Sequence, residues 1–277
     1  MIRRGFADIA EGQVHYRHAG VQHGGVPLVM LHASPGSAKL LEPMIGAFGK
    51  QRRVVATDTL GNGDSSPPQG EAPDIAYFAD AHLRALDSLG LQRFDLYGAH
   101  TGANIACEMA IAQPHRVRRL ILDGVSLYSA EERADMLAHY APGVAIDQNG
   151  GQFNYIWHFV RDAFLYWPWY RREAANRRTI GLPSAGELHD KVVEVLKAAR
   201  TYHISYNAAI GYDKAPRLPL VRVPTLLACA RTDMLVQYFD QVQALMPQAE
   251  PVLTPGSASP AALAETVALF AAFLDRP

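Results

Sequence analysis

The sequence predicts an α/β protein with a mostly parallel eight-stranded sheet and helices on both faces. Three observations carry this. Short, wholly apolar runs recur along the chain, as expected of strands buried on both faces. Each is followed by a polar or glycine-bearing loop and then by residues at helical spacing, and such alternation builds a parallel sheet. One long stretch in the second half holds no convincing core strand and interrupts that pattern.

The elements follow in order. Two alternating runs between Gly5 and Gly20, split at Glu11-Gly12, predict an antiparallel hairpin, with His15 and His18 on its solvent side. Val26–Leu31 is a buried strand running into the polar loop His32-Ala33-Ser34-Pro35-Gly36-Ser37, and Arg53–Thr57 is the next, running into Asp58–Ser65. Asp58 is placed to brace that glycine-bearing turn. Ala76–Leu89 has helical spacing and stops at Gly90. Phe94–Ala99 is a strand driven through a glycine-flanked corner into a helix of small residues, Ala103–Ala112, and Val117–Val125 is a further strand. From about Ser126 to Ala215 the pattern is helical and holds all three tryptophans, Trp157, Trp167 and Trp169. Strands resume at Val223–Ala230 and Pro251–Thr254, before an amphipathic helix at Ala261–Leu274.

Composition narrows the function classes. A chain of 277 residues that is 49% hydrophobic can bury one large core, or one core with a modest insertion. A net charge of -1 leaves no basic excess for nucleic acid. Cys107 and Cys229 lie in apolar runs without metal-site spacing, which predicts buried thiols and suits a reducing cytoplasm. No apolar run follows Met1-Ile2-Arg3-Arg4, so no signal peptide is expected, and no segment is long enough to span a membrane. No phosphate loop or metal-ligand cluster is present, and no cofactor is expected.

The corner Gly98-Ala99-His100-Thr101-Gly102 resembles the nucleophile elbow of α/β-hydrolases, G-x-S-x-G, with His100 at the serine position. His32-Ala33-Ser34-Pro35-Gly36 resembles that family's oxyanion loop, and Asp58-Thr59-Leu60-Gly61-Asn62-Gly63-Asp64-Ser65 its Asp-x-x-Gly-x-Gly-x-Ser turn. The resemblance implies a core over residues 1–126 and 216–277, a helical cap over 127–215, and an acid at Asp233. It implies oxyanion donors in the main-chain N–H groups of Ser34 and Thr101. The base histidine of the family follows the last strand, where this chain reads Pro255-Gly256-Ser257-Ala258-Ser259. Histidine and serine have exchanged places.

An imidazole at the corner, with an unperturbed pKa of about 6.5, accepts a proton near neutrality. His100 is therefore read as a general base for an attacking water, or as a nucleophile, with Asp233 and Ser259 orienting it. Asp123, at the end of its strand, is an alternative acid. General-base assistance of ~10²- to 10⁴-fold suffices for activated carbonyl compounds such as esters, thioesters, lactones and β-dicarbonyls. Two other readings are a lyase or cofactor-independent oxygenase, and a ligand-binding protein without turnover. A small, apolar or aromatic acyl substrate is expected, with Trp157, His158, His203 and Tyr206 offered to it by the cap. The run Tyr170-Arg171-Arg172 with Arg177-Arg178 suggests either an acidic substrate or a solvated helical face, and the second reading is preferred.

Overall fold

The computed structural model describes residues 1–21 and 25–276. Its strands are β1 (Arg3–Ile9), β2 (Gly12–Ala19), β3 (Leu28–Leu31), β4 (Val54–Thr57), β5 (Phe94–Ala99), β6 (Val117–Asp123), β7 (Thr225–Ala230) and β8 (Glu250–Thr254). They form one sheet in the order β1-β2-β4-β3-β5-β6-β7-β8. The β1/β2 and β2/β4 pairs are antiparallel and every other pair is parallel. β3 and β4 are buried at every position, which is why their sequences carry no alternation.

Helices cover both faces. α1 (Glu42–Phe48) and α9 (Pro260–Leu274) pack Ile45, Phe48, Phe270 and Phe273 on one face. On the other, α2 (Ile75–Ser88), α3 (Thr101–Ala112) and α8 (Phe239–Leu245) pack Phe78, Leu86, Ile105 and Phe239. α2 starts where Asp74 accepts the N–H of Tyr77 at 2.8 Å, an ordinary N-cap. Between β6 and β7 lie α4 (Ala130–His139), α5 (Gly151–Leu165), α6 (Ala185–Lys197) and α7 (Tyr202–Gly211), with no strand of the sheet among the described residues there. These four helices share an apolar cluster of their own around Tyr140, Phe159, Trp169 and Tyr202. No helix among the described residues is long and apolar enough to cross a membrane.

The hairpin departs from expectation at His15. Its ring is buried rather than solvated, because the β2 face it occupies is covered by the loop after β4, whose Asp58 carboxylate meets His15 Nδ1 at 2.8 Å. Asp58 also accepts the N–H groups of Ala38, at 2.7 Å, and Asp64, at 3.1 Å, so one buried carboxylate ties three chain segments together.

Candidate active site

The corner between β5 and α3 is where the backbone is most constrained. His100 has φ 49 and ψ -108, the one positive φ on a non-glycine among the described residues. Such a conformation costs a side-chain-bearing residue roughly 1–3 kcal/mol and persists only where the surroundings impose it. They do so through the flanking glycines. A Cβ at Gly98 would stand 2.2 Å from the Gly102 carbonyl oxygen, and one at Gly102 would stand 2.4 Å from that of Leu31. Only hydrogen at both positions lets α3 approach the ends of β3 and β5 this closely.

The His100 ring points at the turn after β7. Its Nε2 lies 2.7 Å from Asp233 Oδ2, while Asp233 Oδ1 accepts the Leu235 N–H at 2.8 Å. The ring's Nδ1 takes part in no hydrogen bond among the described residues. Burial, the largest influence, disfavours the imidazolium, but the Asp233 charge and hydrogen bond, with Asp123 behind them, outweigh it and raise the His100 pKa above 6.5. Burial likewise works against the Asp233 carboxylate, yet His100 and the Leu235 N–H hold it below its ordinary range. Asp123 accepts from Tyr97 Oη at 2.8 Å and does not bond His100. Burial, reinforced by Asp233, pushes its carboxyl up to about 6.

His100 lines two cavities. One, of about 190 Å3, is bounded by Ser34, Phe159, Phe164, Arg178 and Lys191; the other, of about 50 Å3, by Asn104, Ser126, Tyr128 and Trp167. Tyr140 and Tyr206 border both. Thr101 lines the smaller one and supplies the first amide of α3, whose end carries partial positive charge. The peptide N–H groups of Ser34 and Thr101 are taken by no main-chain carbonyl among the described residues. Behind the oxyanion loop, His32 is fully buried: its Nδ1 meets the Ala33 carbonyl at 2.8 Å and its Nε2 accepts the Thr59 N–H at 2.9 Å.

Four expected site residues stand elsewhere. Ser259 is exposed and caps α9, accepting the Ala262 N–H at 3.2 Å, and it bonds neither His100 nor Asp233. Pro260 at the first helical position fixes that start, so Ser259-Pro260 is a helix-opening signal. Trp157 is 41% exposed, because α5 turns Ile156, Phe159 and Val160 inward and leaves it on the outer face. His158 is half-buried and lines neither cavity beside His100. His203 borders a separate cavity of about 700 Å3 between α2 and α7, while Tyr206 and Ile210 on another face of α7 look toward His100. Both thiols are free and buried.

Two cations also border the larger cavity: Arg178, from the arginine cluster noted in the sequence, and Lys191, which the sequence reading did not single out. Arg178 lies beyond α5, not on a helical face, and is half-buried with Nη1 donating to the Ala163 carbonyl at 2.6 Å. Lys191, on α6, sits 4.5 Å from the centroid of the Phe164 ring. Neither meets a carboxylate at ion-pair distance among the described residues; burial lowers the pKa of both, against the opposing charges of Asp233 on Arg178 and Glu187 on Lys191. Among the described residues, only His15, Asp58 and Asp64 bring donor atoms close enough to share a cation, and they lie behind the β4 loop, away from these cavities.

Comparison with known proteins places the fold. A match to the family described as alpha/beta hydrolase fold covers residues 26–259. The chain belongs to that family. Among its relatives, a 2-hydroxymuconate semialdehyde hydrolase of Pseudomonas sp. (strain CF600) is 36% identical over 129 residues, 44% of each chain, so the match spans under half of that protein. A 2-hydroxy-6-oxononadienedioate/2-hydroxy-6-oxononatrienedioate hydrolase 2 of Pseudomonas putida is 37% identical over 249 residues, 83% of this chain and 80% of the relative. The enol-lactonase of Burkholderia xenovorans LB400 superposes with a TM-score of 0.74 at 20% identity, over 98% of this chain and 100% of that one, a likeness of fold.

Proposed function

We propose that the protein hydrolyses a small activated carbonyl compound, with His100 as general base and Asp233 holding the base in place. The carrying observation is the 2.7 Å contact between Asp233 Oδ2 and Nε2 of His100, whose residue lines a cavity that Ser34 also borders. Asp233 accepts the Nε2 proton, which leaves the lone pair on Nδ1. In this reading Nδ1 takes a proton from a water, the water oxygen bonds to the carbonyl carbon, and the carbonyl π electrons move onto oxygen. The Ser34 and Thr101 N–H groups hold that oxyanion. Collapse then breaks the bond to the leaving group, which takes the proton back from Nδ1. Base catalysis is preferred to direct attack because a ring pinned at Nε2 retains a proton contact more readily than an attack trajectory.

The substrate reading is sharpened by charge. Two partly buried cations with no carboxylate at ion-pair distance, only Asp233 and Glu187 acting on them from farther off, are better compensated when an anion joins them. Arg178 and Lys191 therefore fit an anionic group on the substrate, with the aromatic wall of Phe159 and Phe164 taking its apolar part. Relatives named for a hydroxymuconate semialdehyde and an oxononadienedioate support the acidic character.

A panel of aryl esters, thioesters and lactones, each as a neutral and a carboxylate-bearing pair, tests this. Turnover is expected to favour the anionic member and to place solvent oxygen from heavy-oxygen water in the acid product. Product without solvent oxygen would indicate lyase or oxygenase chemistry, and a ligand bound but never consumed would indicate a binding protein.

A further inference from the structure

A buried hydrogen-bonded chain crosses from the loop after β4, through α7, to the oxyanion loop. Asn62 Nδ2 donates to Ser205 Oγ at 2.9 Å, and Ser205 Oγ lies 3.1 Å from Ser34 Oγ. Ser205 is 0% exposed, and Ser34 and Asn62 are nearly as deeply buried. The Asn62 amide turns Nδ2 toward Ser205 and, at 3.4 Å, the Leu60 carbonyl, leaving its buried Oδ1 without a partner; the reverse orientation would leave both amide protons without an acceptor instead of one oxygen.

That orientation gives the chain a direction. Each serine hydroxyl has one proton to donate. Ser205 already accepts from Asn62, and the one remaining partner of its fully buried hydroxyl among the described residues is Ser34 Oγ, so the Ser205 proton goes to Ser34. The proton of Ser34 is then left without an acceptor among the described residues, on a side chain that lines the His100 cavity. Neighbouring contacts keep the segments in register: Ser37 Oγ donates to the buried Glu194 carboxylate of α6 at 2.5 Å, and Thr201 Oγ1 donates to the Gly61 carbonyl at 2.6 Å.

We propose that the Ser34 hydroxyl is a third donor to the oxyanion, aimed into the cavity by the Asn62–Ser205 relay. Ser34 is thereby a catalytic residue through its side chain as well as its peptide N–H, and Ser205 and Asn62 are positioning residues. The inference rests on the reading of His100 as the catalytic centre. A hydroxyl polarised by two donors behind it is a stronger donor than an isolated one. It gains most when the carbonyl oxygen becomes charged, so its loss falls on kcat.

The test uses the full chain and a 4-nitrophenyl ester. Removing one oxyanion donor costs roughly 10²- to 10³-fold elsewhere, so Ser34→Ala is expected to lower kcat by about 10²-fold with KM within about twofold. Ser205→Ala, which leaves the Ser34 proton unaimed, is expected to lower kcat by about tenfold, a partial loss of the same term. The double variant is expected to be no slower than Ser34→Ala alone, because both changes remove one interaction. A merely structural role would shift thermal midpoints without this non-additive kcat pattern. Wild-type kcat in Ser34→Ala, or single effects that multiply in the double variant, alongside an inactive His100→Ala, would overturn the third-donor role alone. Full activity in His100→Ala would overturn the elbow reading and this proposal with it.

Discussion

Two turns at the carboxyl ends of the parallel strands, after β5 and after β8, differ sharply. The corner after β5 keeps a strained backbone, two glycines in forced contact and a ring bonded to Asp233. The turn after β8 has relaxed into an exposed helix start, with Ser259 doing no more than capping α9. Strain held at one position and absent from the other is what makes the corner, not the turn after β8, the centre of the proposed function. It also explains how one imidazole reaches the acid unaided: no second ring stands between corner and carboxylate.

Substitutions probe this contrast at decreasing amplitude. His100→Ala is expected to cost about 10²- to 10⁴-fold in kcat, the range of general-base assistance, with the fold intact by circular dichroism. Asp233→Asn is expected to cost about 10- to 10²-fold, as loss of a hydrogen bond to a charged group worth ~1.5–3 kcal/mol implies. The same variant sharpens the assignment through pH. His100 acts as a base only when neutral, and its pKa is raised above 6.5, so kcat should climb with pH through an inflection above that value. Without the Asp233 charge, burial prevails and the inflection moves down.

On the cavity side, Arg178→Gln or Lys191→Met should raise KM for a carboxylate-bearing ester by roughly tenfold, a charge-assisted contact of ~1.5 kcal/mol, and leave its neutral partner within about twofold. Asp123 offers a stability readout. Its carboxyl is raised from 3.8 to about 6, so the fold favours the protonated form; that contribution is complete below 3.8 and is lost as pH rises through about 6. Asp123→Asn should flatten the pH dependence of denaturant midpoints over this window. The smallest effect belongs to the relaxed turn. Ser259→Ala should leave kcat unchanged and cost about 1 kcal/mol as a lost N-cap.

The contrast also marks what the sequence makes legible. Strands such as Leu28–Leu31 and Val54–Thr57 are readable because burial on both faces demands an unbroken apolar run. The corner is readable because close approach of α3 admits nothing but glycine at positions 98 and 102. Ser259 points to the site only through its family counterpart, whereas Pro260 beside it announces the helix start that the structure shows. Trp157 was misplaced because residues one apart on a helix face different ways, and composition says nothing of rotation. Lys191 carries no local signal, and the cluster holding Arg178 does not tell which arginine turns inward: the two meet at the cavity only because a loop and α6 fold over the core.

One further constraint hides in Gly124. A Cβ there would stand 2.5 Å from His100 Cδ2 and 2.7 Å from Nε2, and its backbone already has φ 68. The imidazole thus owes its berth to a missing methyl on the next strand's exit. The dependence runs one way: a smaller side chain at the corner would merely vacate the space beside Gly124, whereas a side chain at 124 would have to displace the ring and so disturb its contact with Asp233.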